Sequence, residues 1–180
     1  QLLTNLGNGN IIRNQFYYTQ YDFELYSNFT FFLNNSLDGD QIRQKEKRGL
    51  LGYNGSYTHI DYIGDKKLTS DIGAGFRLDK TSDSELSRTK DRTIITEAIK
   101  LGDIKELNTG VWLNETIRMN ERFSINAGLR WDRFDVSYKD KLDNDNLSKA
   151  NAGILSPKLN FYYQLNDKTQ LYLTTGRGFH

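Results

Sequence analysis

The 180-residue sequence contains no cysteine and a single proline. Without cysteine, the chain has no disulfide framework, no thiol nucleophile and no thiolate metal site. Low proline content combined with 11 tyrosines and 10 phenylalanines is typical of β-strands. The composition therefore favours an all-β fold without covalent cross-links.

Long apolar runs and a charge imbalance are also missing. No window approaches the roughly 18 consecutive apolar residues that a membrane-spanning helix needs. With a mean hydropathy of −0.69 and 26% charged residues, a helical membrane protein is excluded. The 24 basic residues nearly balance the 23 acidic ones, so the formal net charge of +1 gives no electrostatic case for nucleic-acid binding. A membrane β-barrel stays possible, because its strands hide their hydrophobicity in alternation.

Strict alternation is what the sequence has instead, and Leu68–Asp79 shows it best. Even positions in this segment are mostly apolar and odd positions mostly polar. Successive side chains of a strand point to opposite faces, so this segment has one apolar and one polar face. The polar face is unusually polar for a strand that covers a protein core. A transmembrane barrel around a watery or plugged lumen needs both faces, because its apolar side meets lipid.

The whole chain divides into about eight such segments. They are Ile11–Thr19, Phe23–Leu33, Leu50–Ile63, Leu68–Asp79, Leu107–Arg118, Phe123–Ser137, Ile154–Leu165 and Thr169–Phe179. Tight connections follow the odd-numbered segments. Long polar stretches follow the second, fourth and sixth: Asn35–Arg48, Lys80–Lys105 and Tyr138–Gly153. Part of the second stretch, Thr93–Leu101, fits either a short helix or a strand extension.

Alternating short and long connections predict an antiparallel transmembrane β-barrel, which has short turns on the periplasmic side and long loops outside. A soluble all-β binding module remains the alternative, although it has no reason to segregate its loop lengths. Phe123 and Trp131 lie eight residues apart on one face, which corresponds to about 20 Å along the membrane normal. That distance is close to the height of the apolar band between two aromatic girdles.

The alternation also assigns faces. The aromatic side chains predicted to face lipid are Phe29, Phe31, Phe76, Phe123, Trp131, Phe161 and Tyr163. The charged side chains predicted to face the lumen are Asp71, Arg77, Arg118, Arg130 and Asp132. Such charges either hold a plug, line a substrate path or are simply solvated. Glu115 falls on an apolar face, and His59 lies in a segment without clear parity.

The order of short and long connections indicates that these strands belong to a larger barrel. The first strand runs from the long-loop side to the tight-turn side, and the last strand ends on the long-loop side. Complete small outer-membrane barrels start and finish on the periplasmic side, and an open eight-strand sheet would expose two unpaired edges to lipid. We therefore expect residues 1–180 to be an internal run of strands from a larger barrel, which does not fold alone.

Three local patterns resemble the barrel of TonB-dependent outer-membrane receptors. The first is Gly110–Glu115, a strand with an aromatic residue and a following polar pair. The second is Ala127–Phe134, which is similar to the family's AGLRYD strand. The third is Leu155–Leu159, followed by Leu171-Tyr172 and by Gly176–His180, which resembles a strand pair whose second member ends GxGF. These patterns occur in the family's order over the last two fifths of the chain.

The resemblance implies a 22-stranded barrel with an N-terminal plug in the bacterial outer membrane. It also implies import of a scarce ligand, often an iron-siderophore, haem or cobalamin, with energy supplied by the TonB complex through regions that this sequence does not contain. Outer-membrane lipid and a metal chelate or another small ligand are the expected partners, and no cofactor is expected. A passive channel or an adhesin are alternatives within the same fold class.

Enzyme motifs are absent, and neither His59 nor His180 has the spacing of a metal ligand set. Ligand contacts are expected from the three long polar stretches, because binding residues concentrate on loops carried by a rigid scaffold. The basic residues there that would attract an anionic ferric chelate are Arg43, Lys45, Lys47, Arg48, Arg88, Lys90 and Arg92.

Overall fold

Eight antiparallel strands form one sheet in a computed structural model that describes residues 1–144 and 146–178. The strands are β1 (Leu2–Gly7), β2 (Asn10–Ser27), β3 (Ile42–Ile63), β4 (Lys66–Lys90), β5 (Ile94–Arg118), β6 (Phe123–Asp140), β7 (Asn146–Asn166) and β8 (Thr169–Gly176). Each strand pairs only with its neighbours in sequence, as in a meander. The prediction of about eight consecutive antiparallel strands is confirmed. The described residues include no helix of the length and apolar character needed to cross a membrane.

The division between the first two predicted strands, Ile11–Thr19 and Phe23–Leu33, is wrong, because both belong to one strand, β2, which ends at Ser27. β2 runs without interruption through Gln20–Asp22, which had been predicted as a tight turn. These three residues pair in register with Lys47–Gly49 of β3, so their polar side chains belong to a strand and not to a turn. The true turn lies earlier, at Gly7–Asn10, where Gly7, Asn8 and Gly9 all adopt positive φ angles that favour glycine and asparagine. β1, which precedes this turn, was not predicted.

The long polar stretches are mostly strands. β4 continues to Lys90 and β5 begins at Ile94, so the segment Thr93–Leu101 is a strand extension apart from its first residue. β6 and β7 likewise extend close to the turn near residues 141–144. Among the connections described, only residues 28–41 form a long loop. Two of the three predicted loops are therefore long hairpins that project beyond the alternating region.

The two ends of the sheet differ. Short turns after β1, β3, β5 and β7 share one end, which we call the tight-turn end. The loop 28–41 and the two long hairpins lie at the opposite end, which we call the hairpin end. This arrangement gives the sheet a polarity that matters for the position of every side chain discussed below.

The sheet has no apolar core. None of the apolar side chains in the described part of the chain is buried. Apart from four glycines, the buried residues there are polar: Asp40, Asp79, Thr81, Ser87, Thr89 and Asp132. Large apolar residues are instead exposed along the strands, Phe16 at 65% and Val111 at 50% among them. A one-layer sheet that exposes so many apolar side chains requires an apolar environment on the face that carries them.

Candidate functional site on the polar face of the sheet

Strand register defines the two faces. Asp71 of β4 lies opposite Thr58 of β3 and opposite Asn114 of β5, which in turn lies opposite Gly128 of β6. Directly opposed residues share a face in an antiparallel pair. We call the face that contains Asp71 the polar face and the other the apolar face.

All five charged residues predicted to face a lumen lie on the polar face: Asp71, Arg77, Arg118, Arg130 and Asp132. Five of the seven aromatic residues predicted to face lipid lie on the apolar face: Phe76, Phe123, Trp131, Phe161 and Tyr163. Phe29 and Phe31 lie in the loop after β2, because the strand on which their parity was counted ends at Ser27. The parity argument does not apply to these two residues.

Hydrogen bonds connect four strands across the polar face, and a cation–π contact adds a fifth. Arg13 Nη1 donates to Thr58 Oγ1 at 2.7 Å, and Thr58 Oγ1 donates to Asp71 Oδ1 at 3.0 Å. On the other side of this carboxylate, Trp112 Nε1 donates to Asp71 Oδ2 at 3.3 Å. The guanidinium carbon of Arg130 lies 5.2 Å from the centroid of the Trp112 ring, within the range of a cation–π contact. These five residues form what we call the polar-face network.

Asp132 anchors the far end of this network. Its side chain is 8% exposed, and its carboxylate accepts hydrogen bonds from Arg130 Nε and Nη2, both at 2.7 Å. This planar pairing holds the guanidinium in one orientation. Arg130 is thus fixed between Asp132 and Trp112 while about half of its side chain, 48%, remains exposed.

A second charged cluster surrounds Asp79, nearer the hairpin end. Asp79 is almost fully buried and lies between two arginines: Arg48 Nη2 is 2.8 Å from Oδ1, and Arg77 Nε is 2.6 Å from Oδ2. Arg48 was predicted as a ligand-binding loop residue. The structure places it within β3, where it also lies near the hydroxyl of Tyr21. This cluster ties β2, β3 and β4 together.

Glycines make room for these large side chains. Gly73 lies beneath the Trp112 ring, and Gly110 lies beneath Arg130 and Asp132, so that a Cβ at either position would overlap them. Gly52 is covered in the same way by the ring of Tyr17. The glycines of the polar face therefore permit flat packing of side chains from neighbouring strands.

A cavity of about 470 Å³ opens beside the network, towards the C-terminal strands. Three basic residues, Arg130, Lys158 and Arg177, contribute to its lining together with Asn114. The buried Oγ of Ser156 also lines it and has no hydrogen-bond partner among the described residues. Basic groups and an unused hydroxyl in one cavity suit an anionic ligand.

The basic residues predicted for the ligand loops lie elsewhere than expected. Arg43, Lys45, Lys47 and Arg48 are in β3, Arg88 and Lys90 are in β4, and only Arg92 is in a turn. Several are already paired with carboxylates. Arg43 Nη2 is 2.7 Å from Glu85, Arg88 Nε is 3.0 Å from Glu97, and Lys90 Nζ is 2.8 Å from Asp38. Their positive charge is thus partly neutralised within the chain.

The loop 28–41 is organised around a single carboxylate. Asp40 accepts hydrogen bonds from the backbone N–H groups of Asn34 and Asn35 and from the hydroxyl of Thr30. These bonds, that of the Asn34 backbone above all, hold the pKa of Asp40 below its usual value. Gln41 fixes the end of the loop to β4 through a hydrogen bond from Thr89 Oγ1 to its side chain, 3.1 Å long.

Lys141 fastens the hairpin between β6 and β7 to its neighbour. Its Nζ lies 2.7 Å from Asp83 Oδ1 and 2.7 Å from Asp103 Oδ1. Burial acts to raise the pKa of Asp103, but hydrogen bonds from Lys141 and from the Asp83 backbone outweigh this and lower it. A carboxylate with a lowered pKa stabilises the folded state above its ordinary pKa, and the stabilisation is lost as the pH falls through the lowered value.

We expect Lys141→Met to loosen the two long hairpins at neutral pH. The loss is about 1 kcal/mol or less, because all three groups are partly exposed. Amide hydrogen exchange at residues 82–84 and 101–104, corrected for intrinsic rates, should be faster in the variant. The difference should shrink as the pH falls below 3.8, the ordinary pKa of an aspartate, and should vanish only below the lowered pKa of Asp103, where this carboxyl group is protonated in both proteins. Equal exchange at neutral pH would contradict this role of Lys141.

No group of three or more potential metal ligands occurs in the part of the chain that the structure describes. The ring of His59 contacts Asn10 and Tyr57, and the other histidine, His180, lies outside the described residues together with Phe179. The end of the GxGF pattern is therefore not described. The polar face holds several charged groups in fixed positions through their ion pairs.

Comparison with known proteins gives a consistent result. Residues 2–180 match the family model described as TonB dependent receptor-like, β-barrel. The chain is similar in structure to the ferric citrate transporter FecA in its unliganded form, with a TM-score of 0.82 and 16% identity. It is also similar to the ferric-catecholate import receptor Fiu of E. coli K12 in its open form (TM-score 0.72, 11% identity) and to the copper transporter OprC (TM-score 0.67, 20% identity).

These similarities cover 97%, 97% and 96% of this chain but only 25%, 34% and 28% of those proteins. The chain thus spans about a quarter to a third of the length of the solved structures it matches. No curated protein sequence matches it. At identities of 20% or less the structural likeness establishes the fold, and the family assignment depends on the family model.

Proposed function

Because the chain belongs to the TonB-dependent receptor β-barrel family, whose members lie in the outer membrane of Gram-negative bacteria, we propose that it forms part of the barrel wall of an active-transport receptor. The receptor imports a scarce ligand, an iron-siderophore or haem-type chelate. Energy comes through the TonB complex, which acts on parts of the receptor outside residues 1–180. The chain itself carries out no catalysis.

In this proposal the polar face lines the lumen and the apolar face meets lipid. The tight-turn end is then periplasmic and the hairpin end is outside the cell. The single observation that supports this orientation best is the polar-face network from Arg13 to Arg130, because charged groups linked across five strands are typical of a wet lumen wall. The same groups would be costly against hydrocarbon.

The basic cavity supports an anionic chelate as ligand. Arg130 and Lys158 lie on the polar face, which the proposed wall turns towards the lumen, and Arg177 follows the end of β8 at the border of the cavity. Ferric citrate and ferric catecholate complexes, which the names of two structural neighbours mention, are anionic. Copper, which the name of the third neighbour mentions, is the second candidate.

Uptake by cells tests the proposal. A strain without the receptor gene, and the same strain complemented with it, are grown under iron limitation and given ⁵⁵Fe-citrate, a ⁵⁵Fe-catecholate or ⁶⁴Cu. We expect complementation to restore uptake of one ferric chelate, and a protonophore or loss of TonB to abolish it. Uptake that survives both treatments would favour a passive channel, and an absence of uptake with all three probes would overturn the choice of ligand class.

Lys158→Ala combined with Arg177→Ala is expected to lower the uptake rate at limiting chelate concentration about tenfold, because two charges are lost from one anion site. The matched control is Lys149→Ala on the same strand, whose side chain lies on the opposite face. Surface amounts of each receptor are compared by labelling. Equal losses in the double variant and in the control would contradict a role of the cavity in binding.

A further inference from the structure

A row of polar side chains crosses the apolar face. His59 of β3, Ser70 of β4 and Glu115 of β5 lie directly opposite one another in register. Towards the hairpin end, the next row on the same face is Tyr57, Ile72 and Leu113. Glu115 on the apolar face, noted above as an exception to the alternation, is thus one member of a set.

Hydrogen bonds hold the side chains of this row in place, and two of them keep groups that can bind a further partner. Ser70 Oγ donates to Glu115 Oε2 at 2.7 Å, and no ion pair found among the described residues includes Glu115. Asn10 Oδ1 accepts the Ile60 N–H at 3.1 Å and lies 2.9 Å from His59 Nδ1. The amide oxygen of Asn10 can only accept hydrogen bonds, so His59 Nδ1 is the donor in this pair and carries the proton. No hydrogen bond among the described residues uses His59 Nε2, so it is left for another partner.

An apolar groove of about 630 Å³ begins where the row ends. Small residues, Gly55 and Ala74, form its floor, and larger side chains such as Tyr53, Val111 and Trp131 form its walls. The row Tyr57, Ile72 and Leu113 belongs to the lining, so the groove and the polar row share a border. The hydroxyl of Tyr57 lies 3.4 Å from His59 Nδ1 at that border.

The depth of the row fits the polar edge of a bilayer. Each of its three residues lies three or four positions from the nearest tight turn, which is about 10 Å along a strand. At that depth hydration is incomplete, so a lipid-facing carboxylate without a cation carries a small cost, which would be larger deeper in the membrane. A headgroup that brings its own ammonium group removes this cost.

We propose that the row and the groove together bind one phospholipid of the periplasmic leaflet with an ethanolamine headgroup. The primary ammonium donates to Glu115 and to the unprotonated Nε2 of His59, and one acyl chain fills the groove. The proposal relies on the orientation given under the proposed function, with the apolar face towards lipid, and it does not depend on which ligand is imported.

The test uses the whole receptor, purified without its transported ligand and examined by native mass spectrometry after titration with dioleoyl lipids. Phosphatidylethanolamine is compared with phosphatidylcholine, whose methylated ammonium cannot donate hydrogen bonds to a carboxylate. We expect one ethanolamine lipid to bind selectively, and Glu115→Gln to weaken its binding about five- to tenfold. Glutamine keeps an acceptor for Ser70, and Glu97→Gln in the exposed part of β5 is the matched control.

Ala74→Phe fills the floor of the groove and should weaken both lipids, with the mobility of the unheated protein on gels confirming a folded barrel. Equal binding of the two lipids by the wild-type receptor, or unchanged ethanolamine-lipid binding in the Glu115→Gln variant, would overturn the proposal. Chelate uptake is measured separately on the same variants. Lipid binding tests this proposal and chelate uptake tests the proposed function. Because the two are measured independently, either one can fail while the other holds.

Discussion

Replacing Gly73 with valine is expected to prevent most of the receptor from reaching its folded state. A Cβ at this position would overlap the ring of Trp112 and lie 2.7 Å from the carbonyl oxygen of Gly55. The tryptophan would have to leave Asp71 and Arg130, and the backbone of Gly55 cannot retreat without breaking the β3–β4 ladder. Overpacking costs about 1–3 kcal/mol and the lost hydrogen bond about 1 kcal/mol, so we expect a total of about 2–4 kcal/mol.

Two measurements report this loss. The fraction of receptor that migrates as folded protein on unheated gels should fall sharply, and the urea midpoint of the remaining folded protein in lipid vesicles should decrease. Gly49→Val in β3 is the control, because a Cβ there meets open space and its φ lies outside the left-handed region. We expect the control to stay within about 0.5 kcal/mol of wild type. Similar losses at both positions would contradict the packing argument.

The central part of the sheet was predictable because its signal is local. Alternation over residues such as Leu68–Asp79 fixes both the strand and the face of each side chain without knowledge of any partner. β5 ends and β6 begins at the predicted residues, Arg118 and Phe123. For the same reason the five lumen candidates share a face. Whether that face lines a lumen stays a prediction.

The strand extensions could not be predicted from alternation. Beyond the apolar region both faces of a strand meet water, so the two-residue period disappears even though the backbone pairing continues. Lys80–Lys90 and Ile94–Lys105 therefore resembled loops in composition. In the same way Gln20–Asp22 resembles a turn in composition, although the glycines on either side of Asn8 are the stronger turn signal.

The partners of the candidate residues depend on register between strands, which a single sequence does not reveal. Asp71 was identified as a polar-face residue, but nothing in its own strand indicates that Thr58 and Trp112 donate to it. Glu115 is an exception to the alternation of apolar and polar residues for a related reason. Its partner Ser70 lies 45 residues away and comes opposite only after β4 and β5 are aligned.

The second large effect is expected at Asp79, whose side chain is 4% exposed between Arg48 and Arg77. Arg48→Ala combined with Arg77→Ala leaves this carboxylate buried without a cation. Removing the partners of a buried charge costs about 3–5 kcal/mol. We expect about 3 kcal/mol, measured as the free energy of unfolding in urea and lipid vesicles, because the two arginines are themselves 30% and 43% exposed.

Adding Asp79→Asn to the double variant separates charge burial from lost packing. If the uncompensated charge causes the loss, the triple variant should recover about half of it, although it has one substitution more. Asp79→Asn alone should cost only about 1 kcal/mol, since both arginines can still be solvated. A triple variant no more stable than the double variant would mean that the arginine side chains stabilise β2, β3 and β4 through packing. The buried carboxylate of Asp79 would then contribute nothing to stability, and the proposed lumen wall would tolerate an apolar residue in its place.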